Sequence, residues 1–128
     1  MKNRGRVIGI GGVFFRSSDP DALQRWYVEH LSLPEDPNSG VVFECGKNSE
    51  HGITVWSPFE RDTEYFGRPD QQCMFNYRVE NLDTLLERLR AEGVEIDPKR
   101  EDYDYGRFAW IVDPEGNRVE LWEPKNPQ

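Results

Sequence analysis

The chain has 128 residues, room for one hydrophobic core and not for two. It is 36% hydrophobic and 31% charged, too apolar for a disordered polymer, and no apolar run approaches the roughly 18 residues that a membrane helix needs. Sixteen Lys and Arg against 24 Asp and Glu leave a net charge of −8, which argues against a nucleic-acid backbone or an anionic lipid surface as partner.

In chain order, residues 6–16, RVIGIGGVFFR, predict a β-strand from Val7, Ile8, Ile10, Val13, Phe14 and Phe15. Gly9, Gly11 and Gly12 resemble a phosphate-binding loop only superficially, since no helix opens after them; a bulge or a close backbone approach explains them better. Asp19 as N-cap and Pro20 at the first position start a helix with Ala22, Leu23, Trp26, Tyr27 and Leu31 as its apolar stripe. Residues 33–40 hold two prolines and read as a loop. Two short strands follow, Val41–Cys45 and Ile53–Trp56, and then a connector rich in charge and aromatics over 57–72.

The next strand, Cys73–Val79, leads to Asn81 as N-cap, Leu82, Leu85, Leu86 and Leu89 at helical spacing, and Gly93 as the stop. A strand around Val94–Ile96, a charged loop, a strand Phe108–Val112, the turn Asp113–Asn117 and a strand Arg118–Trp122 complete the chain. Residues 101–106 read as a solvated loop, with an acidic, tyrosine-bearing lid over a site as the alternative.

Each half is thus strand, helix, then strands. Residues 15–23 align with 77–85 at an offset of 62, and ITVWSP (53–58) aligns with VELWEP (119–124) at an offset of 66, pairing Trp56 with Trp122. Internal duplication is expected, with modules at about 6–58 and 73–124 of a single domain spanning 1–128. This doubled βαβββ order, the opening strand, the Asp-Pro helix carrying RWYVEHLSLP and the closing DPEGNRVELWEP resemble the glyoxalase/bleomycin resistance/dioxygenase proteins, the vicinal oxygen chelate superfamily.

The resemblance implies an α+β fold in which a curled mixed sheet forms a cup with helices packed outside. Members include lyases, isomerases, ring-cleaving dioxygenases and drug-sequestering proteins. In metal-dependent relatives four side chains, two per module, hold a divalent ion in the cup. Carried over by the motif, those places fall at Gly12, Thr54, Met74 and Glu120. Such a site needs about three good oxygen or nitrogen donors, and Glu120 alone qualifies. No metal and no other cofactor are therefore expected.

Strand alternation tests the cup independently. One parity, Val13, Phe15, Ile53, Val55, Phe75, Tyr77, Val79, Val119 and Leu121, is wholly apolar and is assigned to the helix side. The other, Gly12, Phe14, Arg16, Thr54, Trp56, Met74, Asn76, Arg78, Glu120 and Trp122, mixes aromatics with polar groups as a ligand surface does, and Glu44 joins it if Val41 and Phe43 face the helices. A bland role stands beside each: ion pairing of Glu120 with Arg16 or Arg78, and packing for Met74 and the tryptophans.

His30, near a helix C-terminus, and His51, beside a polar loop, are weak candidates, and no Ser or Cys nucleophile with a neighbouring His can be argued. Cys45 and Cys73 lack metal or redox spacing and read as reduced thiols, and residues 1–15 lack the pattern of a secretory signal, so a cytoplasmic protein is expected.

The leading expectation is a metal-free protein holding a small aromatic or cationic molecule in the cup among Phe14, Trp56, Trp122 and Glu120. Its rival is a lyase or isomerase with Glu120 as general base and Arg16, Arg78 or Asn76 stabilising an enolate. A metal-dependent glyoxalase- or dioxygenase-like enzyme and an interaction module are further alternatives. A homodimer is expected, with the cup built within one chain or across two.

Overall fold

The computed structural model describes residues 4–37, 40–44 and 52–125, so Cys45 and His51 lie outside the described residues. The first module comprises β1 (Arg6–Ser17), α1 (Pro20–Leu31), β2 (Glu35–Asp36), β3 (Gly40–Glu44) and β4 (Ile53–Glu60). The second comprises β5 (Cys73–Glu80), α2 (Leu82–Ala91), β6 (Glu95–Tyr103), β7 (Gly106–Val112) and β8 (Arg118–Pro124). The eight strands form a single curled mixed sheet in the order β2-β3-β4-β1-β5-β8-β7-β6. At its centre β1 runs antiparallel to β5, and each has the last strand of its own module parallel on its other side.

The glycines of β1 serve close approach. The β1–β5 register shifts between Val7 and Gly9 and again between Ile10 and Gly12. A methyl group at Gly9 would collide with the Arg78 guanidinium, and one at Gly11 with Asn76 Oδ1 and, at 2.9 Å, with the Trp122 ring. The bareness of β1 therefore lets the polar side chains of β5 lie flat across it.

The two helices are anchored unequally. In α2, Leu82, Leu85 and Leu86 are buried against Val79, Ala109 and Leu121, each side chain contributing about 1.5–3 kcal/mol. Asn81 does not cap this helix through its side chain. It takes a left-handed φ of 59°, and the Glu123 carboxylate accepts from the Asn81 and Leu82 amides at 3.1 and 3.0 Å instead. In α1 the expected cap is present, Asp19 accepting from the Ala22 amide at 3.1 Å. The expected stripe is not buried, however: no α1 residue is fully covered, and Ala22, Trp26 and Leu31 are exposed. His30 is exposed beside the Trp26 ring.

Three loops of the sequence reading are partly strand. Residues 35–36 form β2, β4 runs on to Glu60 through Pro58, and β6 absorbs most of the charged segment up to Tyr103. Of β4 only residues 53–56 pair with β3, so Pro58 sits where that side of β4 has become an edge. β6 is itself an edge strand, its Pro98 lies inside a register shift between Ile96 and Arg100, and its charges guard the open side.

Candidate functional site

Asn76 of β5 stands opposite Glu120 of β8, and Glu120 in turn opposite Trp110 of β7. These registers place three side chains on one face of the sheet, away from the α2 core. Glu120 is 2% exposed. Its Oε1 accepts from Asn76 Nδ2 at 2.6 Å, and its Oε2 accepts from Trp110 Nε1 at 3.1 Å and from the hydroxyl of Tyr65. Burial pushes the Glu120 carboxyl above its usual range, while the three donors and Arg118 pull it back. The Tyr65 phenol is raised strongly by burial and by the neighbouring Glu120 charge.

Around this carboxyl lies an aromatic lining. Phe14, Phe66, Met74 and Trp110 are buried together, with Val55, Phe59, Tyr65 and Phe108 packed against them. Tyr65 is stacked on Phe59 at 5.6 Å and meets Trp110 edge-on at 6.1 Å. Tyr65 and Phe66 come from the connector, residues 61–72, which folds back over the concave face of the sheet.

Arg16 holds that connector. Its Nε donates to Gln71 O at 2.9 Å, its NH1 to Arg61 O and Thr63 O at 2.6 and 2.8 Å, and its NH2 to Arg68 O at 3.0 Å, with the guanidinium over the Phe66 ring. Arg78 likewise donates to Ile10 O and Ile53 O, joining β1 to β4 where the two strands separate. Neither arginine pairs with Glu120, and the guanidinium groups assigned to a ligand or an enolate are engaged with backbone.

Phe14, Met74, Asn76, Arg78, Glu120 and Trp122 lie on one face of the sheet, and Thr54 and Trp56, expected beside them, lie on the other. Trp56 pairs with Val13 and packs on Phe15 and on Tyr27 of α1 at 5.1 and 4.9 Å, so it faces the helix. Thr54 shares that face and donates to Ile10 O at 2.9 Å. Val55 and Phe59, expected on the helix side and in the connector, line the cup instead. The cause is register. Asn76 lies opposite Glu120, and its counterpart at the offset of 62, Phe14, lies opposite Ser57 rather than Thr54. The two matched tryptophans had set β4 three residues out, and an odd slip turns every side chain over.

Gly12 lies opposite Asn76 and Met74 is packed with Trp110, both of which neighbour Glu120, whereas Thr54 is on the other face of the sheet. Glu44 shares the face of Val55 but is exposed at the end of β3. Trp122 is stacked on Phe108 at 6.1 Å, near Tyr103 and Tyr105 at the β6–β7 tip. A groove of about 660 Å³ beside the first turn of α1, lined by Asp21, Glu35 and Asp36, is lined by none of the residues around Glu120.

The donor set does not fit the divalent metal of metal-dependent relatives. Around Glu120 stand an amide, a phenol, an indole and a thioether, and both carboxylate oxygens already accept hydrogen bonds. Among the described residues no three His, Cys, Asp or Glu are grouped for a metal.

The model of the glyoxalase-like domain family matches residues 12–122. Among solved structures, methylmalonyl-CoA epimerase from Mycobacterium tuberculosis is 20% identical with a TM-score of 0.61, covering 93% of this chain and 89% of that one. Methylmalonyl-CoA epimerase from Streptomyces coelicolor, in complex with 2-nitronate-propionyl-CoA, is 14% identical with a TM-score of 0.67, covering 93% and 99%. A glyoxalase/bleomycin resistance protein/dioxygenase superfamily member from Vibrio splendidus 12B01 is 13% identical with a TM-score of 0.53, covering 93% and 98%. At these identities the likeness is one of fold. No curated protein matches the chain.

Proposed function

The chain belongs to the glyoxalase-like domain family, and from that membership we propose that it is a binding protein, holding a small aromatic or cationic molecule in the cup without a metal. The observation that carries this reading is the Glu120 carboxyl, buried among Tyr65, Asn76 and Trp110 at the floor of an aromatic lining. Aromatic faces supply stacking and cation–π attraction, and a carboxylate in low dielectric supplies orientation. Entry requires the connector to withdraw Tyr65. The protein acts in the cytoplasm as a homodimer; the exposed Val7, Ile10 and Phe75 on the central strands support the pairing of two copies.

Native mass spectrometry of the purified protein together with elemental analysis tests this. The reading predicts an organic adduct, or adducts on titration with aromatic compounds, weakened at least tenfold in Glu120→Gln, and no stoichiometric metal. Stoichiometric Zn, Ni, Fe or Mn contradicts it.

The raised carboxyl beside a phenol favours a second reading, a lyase or isomerase in which Glu120 takes a proton next to a carbonyl. The methylmalonyl-CoA epimerase neighbours are isomerases by name. In the closed arrangement both Glu120 oxygens are occupied, so this reading too needs Tyr65 to move. Turnover abolished in Glu120→Gln with binding retained would establish it.

A further inference from the structure

We propose that the molecule taken up at Glu120 is a phenol or another hydroxyl-bearing aromatic ring, and that Tyr65 is a built-in competitor occupying its place. This rests on the binding reading above and narrows it. The Tyr65 side chain is in effect a tethered p-cresol: its ring lies between Phe59 and Trp110, and its hydroxyl donates to Glu120 Oε2. Withdrawing it leaves a ring-shaped space in an apolar lining and a buried carboxylate oxygen short of one donor. A free phenol restores both without changing the charge of the site. An ammonium group would have to give up its hydration to reach a carboxyl that Asn76 and Trp110 already serve.

The connector is built to be exchanged. Residues 61–72 belong to no strand or helix, and most of them are exposed. What fastens the segment is the buried Phe66 ring, the Arg16 amide on Gln72 O at 3.0 Å, and side-chain bonds: the four from the Arg16 guanidinium, Arg68 NH1 on Glu115 O at 3.2 Å, and Gln71, which accepts from the Arg118 amide at 2.8 Å and donates to Arg118 O. A segment held mainly by side chains, with one backbone bond to the sheet and no ladder, opens at lower free energy than the sheet beneath it. Arg16 is thus a positioning residue, setting how firmly Tyr65 is seated.

The Trp110 indole N–H, which donates to the same Glu120 oxygen, is the reporter. Its resonance in ¹H–¹⁵N NMR is followed as the full-length protein is titrated with p-cresol, toluene and benzylammonium. The proposal predicts saturable binding of p-cresol at least tenfold tighter than of the other two. It also predicts a further tightening of about tenfold in Tyr65→Phe, which loses the competing hydroxyl, and tightening in Arg16→Met, which frees the connector. Toluene or benzylammonium binding as tightly as p-cresol overturns the phenol assignment and leaves the binding reading standing. A p-cresol affinity unchanged in both variants overturns the role of Tyr65. No movement of the Trp110 resonance with any of the three overturns the proposal and the binding reading together.

Discussion

Glu120 is buried with Trp110 opposite it because the Asp113–Asn117 turn fixes the β7–β8 hairpin, Asp113 Oδ1 accepting from the Glu115 and Asn117 amides at 2.9 Å each. Trp110 was therefore within reach of sequence reasoning, since counting outward from that turn pairs it with Glu120. Tyr65 was not: it lies in an aperiodic connector, where no spacing tells which aromatic turns inward. The burial of Glu120 has a pH consequence. Its folded-state pKa lies above the free value of 4.5, so its contribution to stability is complete below about pH 4.5 and is lost as pH rises through the folded value. Urea denaturation across a pH series should show wild-type stability falling over that range relative to Glu120→Gln. Parallel profiles for the two proteins would mean that the carboxyl is solvated.

At the scale of elements, the strands that carry β-branched or aromatic runs were legible, as were both helix starts and the stop at Gly93, which has a φ of 85°. What escaped was everything set by a distant partner. β6 looks like a loop because its residues are charged, yet an edge strand favours such residues, and its pairing with β7 is supplied from outside. The face of β4 was misread because two tryptophans matched in sequence while the backbone aligned three residues away. The cap of α2 comes from Glu123, more than forty residues downstream. Glu123→Ala should accordingly destabilise the protein by about 1 kcal/mol, the usual worth of a helix cap, as read from thermal unfolding. An unchanged midpoint would remove Glu123 from that role.

At the scale of the whole molecule, the modules meet along β1 and β5, whose helix-bearing face exposes Val7, Ile10 and Phe75. If that strip is covered by a second copy, sedimentation at micromolar concentration gives a dimer that Phe75→Glu dissociates; a wild-type monomer contradicts the homodimer. On the concave side the sheet, the connector and the Glu120 cluster form one unit, which makes the state of that carboxyl the most direct gauge of the account. The Glu120 carboxyl carbon, followed by ¹³C NMR through a pH titration, should turn over above 4.5 and shift when an aromatic ligand saturates the protein. A turnover at or below 4.5 that ignores every such ligand would contradict the account.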